Sequence, residues 1–178
     1  MEGAIPLPYI FSARATQQAI SMIVGEKIMD SIKRQYASAW NMVRQAIDNV
    51  PDEDWRATYG EWCFAITAYH IVETFDFYSR SSPDGFKWGG RFDVAKKGGY
   101  EPRNMPNKNE VRDYLGEMEK RTAKVLTEPE ISLEKKDEFP WFHSVLEKLL
   151  YALRHTMFHA GELALALRDR EHKKLKWT

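Results

Sequence analysis

Two histidines near the carboxyl end of the chain are the residues with the clearest potential for chemistry. His155 and His159 are four residues apart in a stretch with a helical pattern, so they should lie about 40° apart around the helix and about 6 Å apart along it. That separation lets both imidazoles bind one metal ion. Taken alone, the spacing favours a simpler interpretation, in which the two rings are hydrogen-bonded in a core or an interface.

A third histidine and two glutamates extend the possible site. His70 is the one histidine of the apolar segment 61–78, and Glu73 follows it three residues later, where a carboxylate can orient an imidazole. Glu162 follows His159 at the same spacing. Considered separately, His70 is more simply a core histidine satisfied by Glu73, whereas a metal site would need it as the third ligand from a second helix.

These side chains lie on segments whose apolar residues recur every three or four positions, as in amphipathic helices. Asn107, followed by Glu110, predicts a capping box at the start of the helix that begins at Lys108. Residues 1–14 lack this periodicity and predict an arm that packs against a neighbour, and we treat 1–27 as an N-terminal arm or extension. The predicted helices are Ala15–Asn49, Glu61–Tyr78, Lys108–Thr127 and Ser144–Arg170.

Four long helices predict an all-α four-helix bundle that forms one domain over residues 1–178. The connection 79–106 is long and rich in glycine and proline, which allows the helices on either side of it to run parallel. The segments 61–78 and 144–170 are apolar on more sides than one bundle core covers, and this predicts a homodimer.

The composition limits the classes of partner. Lys plus Arg and Asp plus Glu are 26 each, so no net field attracts nucleic acid or an anionic membrane, and we expect neither partner. No apolar run approaches the roughly 20 residues of a membrane span. Cys63 is the single cysteine, which excludes an internal disulfide and a multi-cysteine zinc site. We therefore expect a soluble, cytoplasmic protein.

The two most apolar helices carry the three histidines, and neighbouring helices pack about 8–10 Å apart. His70, His155 and His159 can therefore converge on one ion and leave a coordination position open for water or substrate. Zinc is the first choice because imidazole suits it, and nickel is the second. Cys63 lies two turns from His70 and is expected to be a small buried hydrophobe.

The chain resembles the DinB-like family of four-helix-bundle proteins, relatives of enzymes that use bacillithiol or mycothiol. The resemblance covers roughly residues 32–168 and rests on AYHIVE, on the acidic PDEDW turn and above all on RHTMFHAGELALALR. His155, His159, Gly161 and Arg168 match the family pattern, while Glu162 stands where glutamine is commoner. The resemblance implies an up-down-down-up bundle, a divalent metal held by three histidines, and frequent dimerisation.

Three functions remain open at this level. In the first, a metal-dependent transferase activates a small thiol for attack on a small electrophile. In the second, metal-bound water attacks an ester or amide. In the third, a non-catalytic stress-response dimer retains the metal site. Glu162 and Glu73 are the candidate catalytic carboxylates, because either one can accept a proton or orient a metal ligand.

Overall fold

The computed structural model describes residues 7–59, 62–127, 133–170 and 173–176, with side chains from residue 25 onward except that of Tyr59. The chain divides into two compact units, residues 1–34 and 35–178, and each is described by itself. The first helix, α1, spans Leu7–Asn49 and passes through both units. The part of the expected arm from Leu7 to Arg14 is therefore helical, since Pro8 lies in a first turn that tolerates proline. Residues 1–6 lie outside the described residues.

The second unit is helical, as the sequence predicts. A short helix α2 and a two-stranded antiparallel ladder precede the three long helices that follow α1. Their bounds are α2 Asp52–Trp55, β1 Thr58–Tyr59, β2 Trp62–Cys63, α3 Phe64–Tyr78, α4 Lys108–Val125 and α5 Val145–Asp169. Within the described residues, no helix combines the length and the apolar character that crossing a membrane requires. The up-down-down-up order of the helices stays a prediction.

The helix ends follow local chemistry. Asn107 and Glu110 form the predicted capping box, in which Glu110 N donates to Asn107 Oδ1 at 3.0 Å and Asn107 N donates to Glu110 Oε2 at 2.7 Å. Helix α3 begins three residues later than predicted, because Trp62 and Cys63 are extended and pair with the preceding strand. Cys63 is buried at the start of α3, as expected for a small hydrophobe.

Helix α3 lies at the centre of the core, with eleven of its fifteen residues buried. It packs against α4 and α5, and Phe75 meets the ring of Trp40 from α1 at 4.9 Å. The Trp40 indole donates to Thr122 Oγ1 of α4 at 3.0 Å, and the Tyr36 hydroxyl donates to the carbonyl of Leu149 in α5 at 2.7 Å. These contacts fix α3 and α5 side by side, which is the arrangement a shared histidine site requires.

The segment between α3 and α4 contains one short 3₁₀ helix, Pro102–Asn104, and is otherwise irregular, as the sequence predicts. Within it, Gly89 has φ of +69° and its N–H donates to the buried Glu73 carboxylate at 2.5 Å. A Cβ atom there would approach Val94 Cβ to 3.2 Å and Ala95 N to 3.1 Å. Glycine thus allows the crossover to turn tightly on itself here, at the residue whose N–H reaches Glu73 of α3.

Helix α5 differs from the expectation that it is buried on more than one side. Its buried residues form a single stripe, and the opposite face carries exposed apolar side chains. The difference arises because one bundle core covers one face of each helix. The buried residues are Lys148, Leu149, Ala152, Thr156, Ala160, Leu163 and Leu167, and the large exposed hydrophobic residues on α5 are Leu150, Phe158 and Leu165.

Candidate metal centre

The structure brings together the three histidines that the sequence singled out. His70 projects from α3 and His155 and His159 project from α5, and one ring nitrogen of each lies within 4.8 Å of the others. His70 Nε2 and His155 Nε2 are 3.2 Å apart. A tetrahedral ion with metal–nitrogen bonds of about 2.0–2.1 Å separates its ligand nitrogens by about 3.3 Å. The arrangement therefore fits one divalent ion, and the three side chains are all half-buried.

Glu162 holds the orientation of His159. Its Oε2 lies 2.6 Å from His159 Nδ1, which places the N–H of that imidazole on Nδ1 and leaves the Nε2 lone pair for a metal. The spacing of three residues on one helix brings the two side chains together. The structure thus places Glu162 as the carboxylate partner of His159.

Glu73 does not occupy the expected place beside His70. Glu73 is 1% exposed, and its carboxylate accepts hydrogen bonds from the Tyr69 hydroxyl at 2.9 Å, from Gly89 N and from the Tyr100 hydroxyl. Both oxygens are thereby used to attach the crossover to α3. The group next to His70 Nδ1 is instead Thr74 Oγ1, at 3.4 Å.

His155 is half-buried, like the other two histidines. Its Nδ1 is buried and has no hydrogen-bond partner within the part of the chain that the structure describes. Tyr151, one turn earlier, stacks on the ring with 6.3 Å between centroids and 27° between planes. Most buried polar atoms are satisfied, and the exceptions concentrate at functional sites. The nitrogen of this ring that faces His70 is Nε2, so Nδ1 lies on the other side of the ring and lacks the supporting partner that Glu162 gives to His159.

The surroundings keep the imidazoles of His155 and His70 neutral. Burial, followed by the neighbouring His159 and His70, lowers the pKa of His155 to about 4. Burial and His159 also lower the pKa of His70, and Glu162 opposes this shift. Both rings are therefore unprotonated at pH 7, and a metal can bind them without displacing a proton.

A cavity of about 530 Å³ lies at the carboxyl end of α5 and is not lined by any of the three histidines. Glu162 lines it, so the carboxylate that holds His159 also faces this space. The volume lies in the range of small-molecule sites. The other lining residues are Trp62, Leu165, Ala166, Asp169 and Arg170.

Sequence reasoning assigned no role to three residues near the candidate site. Thr74 and Tyr151 lie one helical turn from His70 and His155 respectively, so helical spacing could have found them. Trp62 reaches the cavity from the strand before α3, and no spacing along the chain indicated this. Among the described residues, the three histidines form the one group of ligating side chains close enough for a metal, and Cys63 is outside it.

A known protein family matches the part of the chain that contains these residues. The family model described as the DinB superfamily matches residues 35–163, a range that contains all three histidines and Glu162. A comparison with curated proteins found no match to the chain. The matched range begins at the first residue of the second compact unit.

Proposed function

Because the chain belongs to the DinB superfamily and brings three histidines within reach of one ion, we propose that it is a metal-dependent thiol S-transferase acting on small electrophiles. His70, His155 and His159 are the proposed ligands. Zinc suits three neutral imidazoles best, and nickel is the second choice. Three protein ligands leave a position open, which is typical of catalytic rather than structural sites.

Binding of zinc is expected to stabilise the fold in a pH-dependent way. At a thousandfold excess over the dissociation constant it contributes about 4 kcal/mol, which for a chain of this length raises Tm by about 10 °C. Burial and the neighbouring histidines hold the pKa of His70 and His155 below the unfolded value of about 6.5, and a bound metal would lower it further. The contribution is therefore complete above pH 6.5 and is lost as the pH falls through the lowered folded-state values.

Thermal melts of zinc-loaded and chelator-treated protein at pH 7.5 and pH 4.5 measure this effect. The difference in Tm should be large at pH 7.5 and much smaller at pH 4.5. Equal melting temperatures at pH 7.5 would contradict a metal bound by these histidines.

A bound divalent ion would favour the thiolate form of a thiol at neutral pH. The chain's own part is then to hold the ligands and to receive the thiol proton. Glu162 is suited to both tasks, because it accepts the His159 Nδ1 hydrogen bond and lines the cavity. In the reaction the thiol proton passes to the Glu162 carboxylate, the sulfur forms a bond to the electrophilic carbon, and the leaving group departs with its electron pair.

The observation that carries the proposal is the position of Glu162 between a ligand imidazole and a cavity with an apolar wall. Trp62, Leu165 and Ala166 form that wall, which suits an apolar electrophile. A metal ion lowers the pKa of a bound water to about 7 and favours the thiolate form of a bound thiol, so the apolar wall of the cavity, rather than the acidity of the nucleophile, favours the thiol reaction. Glu73 is fully engaged with the crossover, and this removes one of the two candidate bases for hydrolysis.

The test is the consumption of bacillithiol, mycothiol or glutathione in the presence of monochlorobimane, with and without zinc. We expect metal-dependent loss of at least one thiol. Replacement Glu162→Gln should lower the rate about 10- to 100-fold, the usual loss for a group that orients a metal ligand. Asp169→Asn is the matched control, because Asp169 lines the same cavity without a contact to a histidine.

Other outcomes lead to other functions. Metal-dependent hydrolysis of esters without any thiol would make the protein a hydrolase. No activity in either assay, with the metal site fully loaded, would indicate a non-catalytic protein that retains the metal.

A further inference from the structure

A second cavity, separate from the one that Glu162 lines, opens along the first half of α5. Its volume is about 410 Å³, which lies in the range of small-molecule sites. Among the described residues, the two cavities have no lining residue in common. Most of the lining of the second cavity is apolar or aromatic, and this part consists of Phe142, Leu146, Leu150 and Tyr151.

The aromatic wall of this second cavity is fixed by the packing behind it. Phe142 is buried and belongs to a hydrophobic cluster with Phe77 and Phe139. The Tyr151 ring lies 5.4 Å from the Phe142 ring and 5.1 Å from the Tyr78 ring between centroids. A ligand would therefore meet a surface that is already ordered, and binding would not have to supply the cost of ordering it.

Arg154 places a positive charge at the same cavity. Its guanidinium carbon lies 5.4 Å from the centroid of the Tyr151 ring, within the range of a cation–π contact. In the part of the chain that the structure describes, no carboxylate forms an ion pair with this guanidinium. Its planar set of N–H donors, which matches the two oxygens of a carboxylate, is thus left without an acidic partner in the chain.

Glu147 limits the charge of a ligand in the cavity. It also lines this space, but its Oε2 accepts a hydrogen bond from His143 N at 2.6 Å and its own N–H donates to Ser144 Oγ at 3.1 Å. The carboxylate therefore serves the start of α5 and lies two helical turns, about 10 Å, before Arg154. One cation and one anion give the cavity no net charge, which favours a singly charged ligand over a phosphate of charge about −1.5 to −2.

We propose that this cavity binds a small monocarboxylate with an apolar or aromatic body. The carboxylate accepts hydrogen bonds from the Arg154 guanidinium. The body of the ligand lies against Leu146 and Leu150 and packs on the rings of Phe142 and Tyr151, where an aromatic ligand gains edge-to-face or offset contacts.

Tyr151 connects this site to the candidate metal centre. Its ring lines the cavity and also stacks on the His155 ring, with 6.3 Å between centroids. None of the three histidines lines the cavity, so the ligand lies one aromatic ring away from a proposed metal ligand and does not bind the ion. The inference is independent of the proposed reaction, because it requires neither zinc nor a thiol.

Isothermal titration calorimetry of the full chain with 3-phenylpropanoate tests the site. We expect saturable binding of one molecule per chain, with the same affinity in zinc-loaded and chelator-treated protein. The neutral analogue 3-phenylpropanamide has the same shape, and it should bind about 10- to 100-fold more weakly because it lacks the charge that strengthens the hydrogen bonds to Arg154.

Arg154→Gln should weaken binding of 3-phenylpropanoate by the same 10- to 100-fold. Arg168→Gln is the matched control, because Arg168 is exposed on the same helix but lines neither cavity, and it should leave the affinity unchanged.

Leu150→Trp tests the apolar part of the site, since the larger side chain should fill the cavity and abolish binding. Leu150 is 47% exposed, so the substitution should leave the fold intact, which circular dichroism checks. Phe158→Trp places the same side chain on α5 at a residue that is 65% exposed and outside the cavity, and it should bind the carboxylate as the wild type does.

Four results would overturn the inference. No binding of 3-phenylpropanoate at millimolar concentration would mean that the cavity is not a site for such ligands. Unchanged affinity in both Arg154→Gln and Leu150→Trp would place the ligand elsewhere on the chain. Equal binding of the amide would exclude recognition of the carboxylate, and binding only to zinc-loaded protein would show that the carboxylate ligates the ion.

Discussion

Alanine at His155 or at His159 is expected to lower the affinity for zinc by at least about 100-fold. Mutation of a residue that only orients a ligand typically lowers metal affinity 10- to 100-fold, and loss of the ligand itself should lower it more. The wild-type chain should contain one ion. Each variant, purified and loaded identically, should retain little zinc after dialysis, because two imidazoles bind the ion too weakly. Elemental analysis and a competitive titration with a chromogenic chelator measure the content and the affinity.

His143→Ala is the control for this experiment. His143 is exposed and lies outside the histidine cluster, so its removal should leave both stoichiometry and affinity unchanged. A His159→Ala chain that keeps full metal content would show that the three histidines are not the site. Circular dichroism of each variant at 25 °C separates loss of a ligand from loss of the fold.

Replacement of Glu73 by alanine is expected to destabilise the protein by about 3–5 kcal/mol, because a buried donor left without its acceptor costs about 1–3 kcal/mol. The substitution leaves three donors without an acceptor: the Tyr69 hydroxyl, the Tyr100 hydroxyl and the Gly89 N–H. At 2–4 °C per kcal/mol for a chain of this size, Tm should fall by roughly 10 °C. Denaturant unfolding of apo protein measures the change.

Two variants make this result specific. Glu117→Ala removes an exposed glutamate that pairs with Arg91 at 2.5 Å, and such a pair contributes at most about 1 kcal/mol. Glu73→Gln keeps an acceptor and should cost less than alanine while leaving zinc affinity unchanged. A Glu73→Ala chain as stable as wild type would contradict the structural role of Glu73. A Glu73→Gln chain that loses zinc would show that Glu73 takes part in metal binding.

The helix ends show what local sequence can predict. The end of α1 at Asn49 and the capping box at Asn107 and Glu110 match the prediction, because caps depend on residues that are close in sequence. The start of α3 was predicted three residues too early, since the pairing of Trp62 and Cys63 with β1 overrides their helical pattern.

The candidate site could be predicted in part. Residues His155, His159 and Glu162 follow from spacing on one helix. Their approach to His70 depends on how α3 and α5 pack, which spacing alone does not determine. Glu73 and Thr74 both lie near His70 on a helical wheel. Glu73 instead accepts hydrogen bonds from Tyr100 and Gly89 of the crossover, which are too distant in sequence for spacing to reveal the contact.

The exposed face of α5 illustrates the remaining difficulty. Leu150, Phe158 and Leu165 have the same apolar character as the buried Leu149 and Leu163, so composition cannot assign them to a core or to an interface. Burial depends on which helices of the same chain reach each side. The sequence therefore predicted a second apolar face, and the structure was needed to locate it.

X-ray absorption spectroscopy of the zinc-loaded protein tests the central claim most directly, because it reports the atoms bound to the ion. The account predicts one zinc per chain with nitrogen or oxygen neighbours at about 2.0–2.1 Å and the scattering pattern of three imidazoles. His159→Ala should remove one imidazole contribution or abolish binding. A sulfur neighbour near 2.3 Å, or a spectrum with fewer than three imidazoles in the wild-type protein, would contradict the three-histidine metal centre.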